Sequence, residues 1–187
     1  MAKLLSGEQI DFAKGENTFG LTITRERWDA NGQLKTYWKF GLPDGVIVVG
    51  FTPTRKVIVI DEFQPTLKCL PSVVGGGIEP GETPLQAARR EFLEETGYKP
   101  GSLMLITTIS RDVSRSTSKM YYFLATHCRR IAEPERDVKK VTEMDPKKFW
   151  QMFMKQLMED PESVHDGAFT LQGITLALAH LRFLQVG

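Results

Sequence analysis

Between Glu79 and Glu95 the chain carries five glutamates and two arginines, directly after Gly75-Gly76-Gly77. Placed on a helix, Glu91, Glu94 and Glu95 fall on one side, because residues three and four apart share a face. Like charges one turn apart weaken a helix by roughly 0.2–0.5 kcal/mol. A sequence chosen for stability alone would avoid such a cluster. A divalent cation reverses the sign, turning repulsion into coordination, and hard ions such as Mg²⁺ or Mn²⁺ take oxygen ligands. The glycines before the helix allow close backbone approach, because no Cβ stands in the way. Arg90, four residues before Glu94, is spaced to pair with it. Glu94-Glu95 alone would fit a solvated acidic helix face just as well; the whole arrangement carries the argument.

The positioning elements can be read outward from there. Thr83 is the expected N-cap, Pro84 the first helical residue, and Gln86 completes a capping box with Thr83. Gly97 is placed to end the helix. Leu85, Ala88 and Phe92 form the stripe expected in the core. Upstream, Val46–Phe51 and Val57–Phe63 are continuous apolar strands, which belong in the middle of a layered structure. Earlier still, Phe19–Trp28 and Leu34–Phe40 flank Asn31-Gly32 and read as a β-hairpin. In its second arm Leu34, Thr36, Trp38 and Phe40 share one face, and Lys35, Tyr37 and Lys39 the other. Downstream, strands are expected at Leu103–Ser110 and Met120–His127. Asp145 caps a helix over Pro146–Glu159, and a last helix covers about Phe169–Gln185. Phe149, Phe153 and Leu157, thickened by Met152, Met154 and Met158, make a packing stripe. The alternation predicts an α/β layered fold, with an N-terminal β extension over residues 1–42 and the main domain over 43–187.

The whole chain has 187 residues, 24 Lys+Arg against 23 Asp+Glu, a net charge of +1 and 41% hydrophobic residues. That composition suits a globular domain with a real core and argues against disorder, a general nucleic-acid binder or a membrane span. Cys69 and Cys128 are too few for a disulfide framework and are expected as free thiols. The first residues lack the apolar stretch of a signal peptide, so the cytoplasm is the expected compartment. His127, His165 and His180 are scattered, without metal-ligand spacing; sequence does not place His165-Asp166. The near-neutral sum conceals a segregation. Residues 79–95 carry a local charge of −3, whereas Arg111–Lys140, with eight Lys+Arg and four Asp+Glu, carries +4. Arg111, Arg115, Arg129 and Arg130 are candidate phosphate contacts, since guanidinium forks suit phosphate oxygens.

The order Gly76, five residues, Glu82, seven residues, Arg90-Glu91-Phe92, one residue, Glu94-Glu95, one residue, Gly97-Tyr98 resembles the signature of the Nudix hydrolases without a gap. The resemblance covers the chain from about residue 45 onward. It implies the Nudix fold, a mixed sheet between helices, and cleavage of a nucleoside diphosphate linked to another moiety. It further implies Glu91, Glu94 and Glu95 as metal ligands, joined by the Gly75 carbonyl, with Mg²⁺ or Mn²⁺ as cofactor. Arg90 would orient Glu94, and Glu82 would support the loop or reach the metals through water. The hairpin, the segment Val59–Phe63 and the run Arg115–Lys119 into Tyr121–Ala125 resemble the ADP-ribose and nucleotide-sugar pyrophosphatase branch. That branch implies a homodimer through the N-terminal strands, with Trp28, Tyr37 and Trp38 as candidates to stack on the base. It also implies a general base on a loop, for which Glu135 is the first candidate and Glu133 and Asp137 are alternatives. Three departures stand out: Gln64-Pro65 where an arginine is common, Val74-Gly75-Gly76 in place of Pro-Ala-Gly, and Asp112-Val113-Ser114 in place of Ser-Pro-Gly. The expected substrate is ADP-ribose or another nucleoside diphosphate sugar. The alternatives are dinucleotides, capped RNA ends, damaged nucleoside triphosphates, or a sensor that binds without cleaving.

Overall fold

The computed structural model describes residues 3–10, 21–62, 71–111, 115–134, 138–159 and 167–181. The elements are β1 (Lys3–Ile10), β2 (Thr22–Ala30), β3 (Gln33–Gly41), β4 (Gly45–Phe51), β5 (Val57–Glu62), β6 (Pro71–Ser72), β7 (Val74–Gly77), α1 (Pro84–Thr96), β8 (Tyr98–Lys99), β9 (Ser102–Ser110), β10 (Lys119–Thr126), β11 (Arg129–Arg130), β12 (Val138–Met144), α2 (Pro146–Glu159) and α3 (Gly167–His180). They group into two compact units, Met1–Gly45 with Ile109–Met120, and Val46–Thr108 with Tyr121–Gly187.

In the first unit β1, β2 and β3 form an antiparallel sheet. The β2–β3 turn follows from Asn31 and Gly32, at φ 57 and 79, a pair of left-handed residues whose twist matches that of the flanking strands. The Asp29 carboxylate accepts the Gly32 N–H at 2.7 Å. The register sets Trp38 opposite Arg25 and Trp28 opposite Lys35. Positions 25 and 28 differ in parity, so the two tryptophans lie on opposite faces of the sheet. Strand β1 adds a third strand to the expected hairpin.

The second unit is built on a seven-stranded mixed sheet whose main path is β12-β5-β4-β10-β9, with β6 on β5 and β7 on β4. Strand β4 is buried throughout, as its unbroken apolar run demands. Its two faces meet different helices. A Cβ on Gly50 would lie 2.3 Å from the Phe92 ring of α1, whereas one on Gly173 of α3 would lie 2.9 Å from Ile47 and 3.3 Å from Val49. Even-numbered β4 positions thus face α1 and odd ones α3, and the sheet is held between helices. The α1 side closes on Val46, Val48, Ile58, Ile60, Ala87, Ala88, Phe92 and Phe123. Helix α2 begins where Asp145 caps it, its carboxylate accepting the N–H groups of Lys147 and Lys148 at 2.9 and 3.0 Å. Gly75–Gly77 lie in β7. Leu85, expected in the core, is 42% exposed; Ala87 takes the buried place. Phe63, Cys69, Leu157's side chain, Phe169's side chain, His165, Asp166 and Gln185 lie outside the described residues.

Candidate active site

Helix α1 is fixed at both ends by its own sequence. Thr83 Oγ1 accepts the Gln86 N–H at 3.3 Å and Gln86 Oε1 accepts the Thr83 N–H at 2.9 Å. At the far end Gly97 adopts φ 72 and returns its N–H to the Leu93 carbonyl at 2.7 Å. A side chain there would meet the Ala132 carbonyl as well as the φ restriction. With Phe92 anchored in the core, the adjoining face of α1 carries the carboxylates of Glu91, Glu94 and Glu95, and Glu91 lies against β7.

Two of those carboxylates are buried. Glu91 and Glu95, one turn apart, are each only 2% exposed, and Oε2 of Glu95 is enclosed by protein. A Cβ on Gly76 would stand 2.1 Å from the Glu91 carboxyl carbon, so only glycine leaves that group its place. Gly75, one step along β7, turns its bare Cα toward Ile47 on the other side of the strand. Burying carboxylates costs several kcal/mol unless they are paired or coordinated.

Arg90 supplies the pairing for Glu91. Its Nε and Nη2 donate to the two oxygens of Glu82 at 2.9 and 2.8 Å, in a two-pronged fork. Nη1 donates to Glu91 at 2.8 Å and to Glu94 at 3.4 Å, and Nη2 also donates to the Gly77 carbonyl at 3.0 Å. The expected Arg90–Glu94 pair is present, but Glu82 and Glu91 hold the guanidinium more closely. This contact with Glu82 raises the Arg90 pKa still further and holds the Glu82 carboxyl below its usual range. Glu82 in turn accepts the Glu79 N–H at 3.1 Å, so it braces the loop before α1. Helical spacing could not reveal the fork, because Glu82 precedes the helix.

At the other end of α1, Tyr98 is buried and donates its hydroxyl to Glu143 at 2.9 Å; burial, then Glu143, pushes its pKa up to about 12. Sequence spacing across 45 residues offered no signal for this tie to β12.

Among the described residues no three His, Cys, Asp or Glu side chains stand as a ready-made metal cage. The donor set still has the chemistry of a hard-cation site. Mg²⁺ is commonly held by one or two carboxylates, with water and substrate phosphate completing its shell. Buried Glu91 and Glu95, with Glu94 beside them, supply that kind of oxygen.

The remaining candidates are distributed as follows. Trp28 and Trp38 lie on β2 and β3 in the first unit. Trp28 donates its indole N–H to Glu26 at 2.8 Å, beneath Lys39; Trp38, 52% exposed, is covered on one side by Arg25. Being on opposite faces, the two cannot sandwich one base within a chain. Tyr37 shares Trp28's face. Arg111 and Arg115 belong to the same unit, Arg111 directing Nε at Met120 Sδ at 3.1 Å. Arg129 and Arg130 form exposed β11, and Arg130 binds the exposed Glu133 at 2.5 Å. Glu135 and Asp137 lie outside the described residues.

The NUDIX domain pattern matches residues 41–165. The chain belongs to that family, which bears out the resemblance carried by Gly76–Tyr98. An ADP-ribose pyrophosphatase of Bacillus subtilis (strain 168) is 32% identical over 84 residues, covering 44% of this chain and 45% of that one. A methanol dehydrogenase activator of Bacillus methanolicus is 33% identical over 104 residues, covering 53% and 55%. The chain thus spans about half the length of the curated relatives it matches. A crystal structure of an ADP compounds hydrolase superposes with a TM-score of 0.72 at 23% identity, over 97% of this chain and 95% of that one. That likeness bears out the fold.

Proposed function

We propose that this protein is a divalent-metal-dependent pyrophosphohydrolase acting on ADP-ribose or another nucleoside diphosphate sugar. Water adds across the P–O–P bridge, one P–O bond breaks, and a nucleoside monophosphate and a sugar phosphate leave. The observation that carries this reading is the pair of carboxylates, Glu91 and Glu95, buried one turn apart on α1, with Glu91 seated against the bare Cα of Gly76. Family membership and the name of the Bacillus subtilis relative support it.

Glu91, Glu94 and Glu95, with the Gly75 carbonyl, would hold Mg²⁺ or Mn²⁺. The chemistry supplied on cation binding is withdrawal of charge from the diphosphate and acidification of water. Arg90 keeps Glu91 and Glu94 oriented, and Glu82 keeps Arg90 in place. Arg111 and Arg115 are assigned to phosphate oxygens, one of the tryptophans of the N-terminal sheet to the base, and Glu135 to the proton of the attacking water. The face of that sheet carrying Leu34, Trp38 and Phe40, exposed by 66%, 52% and 37%, is assigned to a second copy of the chain. Aromatic and aliphatic side chains left open along one face of a strand are a contact surface for another sheet face.

The test is product analysis by chromatography after incubation with Mg²⁺ and a panel of ADP-ribose, other nucleotide sugars, dinucleotides and triphosphates. ADP-ribose or a nucleotide sugar is expected to yield the monophosphate, with loss of turnover in chelator. Glu95→Gln should lower kcat at least ~100-fold with the fold intact. Cleavage of no nucleotide sugar, or near-normal turnover by Glu95→Gln, overturns the reading.

A further inference from the structure

Within the first unit, the stretch Arg115–Lys119 is fastened to the end of β3 and the residues just after it. The Phe40 N–H donates to the Arg115 carbonyl at 2.8 Å, and Phe40 forms an isolated parallel bridge with Ser116. The Lys119 N–H donates to Asp44 Oδ1 at 2.8 Å. At the centre is Ser118, only 1% exposed. Its Oγ accepts the Leu42 N–H at 2.7 Å and donates to the Leu42 carbonyl at 2.6 Å. One buried hydroxyl thereby satisfies both backbone groups of a residue 76 positions away. Its own backbone carbonyl accepts the Arg111 N–H at 3.0 Å, so the clasp also fixes the start of the segment. Gly41 shows how close the approach is: a Cβ there would lie 3.2 Å from Thr117 Oγ1 and 2.5 Å from Thr22 Oγ1.

We propose that the end of β3, Arg111 and the Arg115–Lys119 stretch act as one substrate-reading element, with Ser118 as its positioning residue. The inference rests on the function proposed above, in which Arg111 and Arg115 meet phosphate oxygens. A guanidinium fork is only as well aimed as the backbone that bears it, and misplacement of a binding group by an ångström is costly. Ser118 acts on the backbone that bears the two arginines rather than on substrate. It fixes the backbone at both ends of the basic run, and Asp44 fixes the strand that leaves it. The extension and the basic segment thus form one device for substrate affinity, distinct from the carboxylates that serve turnover.

The experiment is steady-state kinetics of the full chain on ADP-ribose with Mg²⁺, using Ser118→Ala, Asp44→Ala and Asp44→Asn. Ser118→Ala and Asp44→Ala are expected to raise KM about 10-fold with kcat within about twofold, the pattern of lost substrate binding. Asp44→Asn keeps an oxygen to accept the Lys119 N–H and should restore KM. A fall in kcat at constant KM, or Asp44→Asn as impaired as Asp44→Ala, overturns the proposal. If Ser118→Ala does not fold, the Asp44 pair decides alone. If the wild type turns over nothing, the function reading fails on its own account. The same variants are then compared by calorimetric binding of inorganic pyrophosphate, where equal Kd for wild type and Asp44→Ala overturns the positioning role and a weaker Kd supports it.

Discussion

Arg90→Ala tests the account of the acidic site directly, because one guanidinium serves several carboxylates. The Arg90 side chain is 21% exposed, and its partners Glu82 and Glu91 are 15% and 3% exposed. An exposed ion pair of this kind would be worth ~0–1 kcal/mol. Removing one partner of a buried pair costs ~3–5 kcal/mol, because the remaining charge is left uncompensated. Arg90 retains some water, so the lower end applies, and the expected loss is about 3 kcal/mol. For a chain of this size 1 kcal/mol moves Tm by roughly 2–4 °C, so the melting point should fall by about 6–12 °C.

The pH dependence follows from Glu82, whose carboxyl sits below its ordinary 4.5 because of Arg90. A depressed folded pKa adds stability above the unfolded value, and that stability is lost as pH falls through the folded value. The gap between wild type and Arg90→Ala should therefore be full near neutrality and narrow as pH drops below 4.5. Thermal unfolding in EDTA, from about pH 7 down to about pH 3.5, reads both effects without a cation standing in for the arginine. Arg90→Lys keeps the charge but loses the fork and should fall between the two. A Tm drop under about 3 °C at neutral pH, or a gap that persists into acid, refutes the picture of Arg90 as the shared counter-charge.

The remaining predictions concern a thiol and an assembly. Cys128 is 1% exposed and burial pushes its thiol up to about 12. Iodoacetamide at about pH 8 should leave it unmodified in the folded protein and label it in denaturant; peptide mass spectrometry showing equal labelling in both would contradict that placement. Light scattering should give the mass of a dimer that reverts to monomer in Trp38→Asp, whereas a monomeric wild type removes the second copy from the N-terminal sheet.

What was legible in the sequence was what local chemistry decides. The caps of α1, the Asn31-Gly32 turn, fully buried β4 and the Asp145 start of α2 each depend on a few adjacent residues, and they stand where expected. Strands β1 and β12 were not legible. KLLSGEQI and VKKVTEM lack clean alternation, and each becomes a strand by pairing, with β2 and with β5. Register was equally hidden. Residue type alone makes Trp28 and Trp38 joint candidates to stack on a base, whereas their faces depend on which residue opposes which. In the acidic site, helical spacing gave the Arg90–Glu94 contact but not the closer one to Glu82, which approaches from the loop.

The site's charge balance explains why it was conspicuous in the sequence. Among the described residues Arg90 offers one positive charge to Glu82, Glu91 and Glu94, and Glu95 is buried as well, so carboxylates are in excess over this guanidinium. A protein interior tolerates such an excess if some of these carboxyls take up protons or if cations join them. Protonation would discard the chemistry that distinguishes the cluster from a leucine-rich helix face of equal volume, which would be more stable. Gly76 points the same way, since it keeps clear the space that the Glu91 carboxylate occupies, at the expense of a packed side chain. Stability has been given up at several neighbouring positions in favour of anionic oxygen, which is the chemistry that the proposed divalent-cation site calls for.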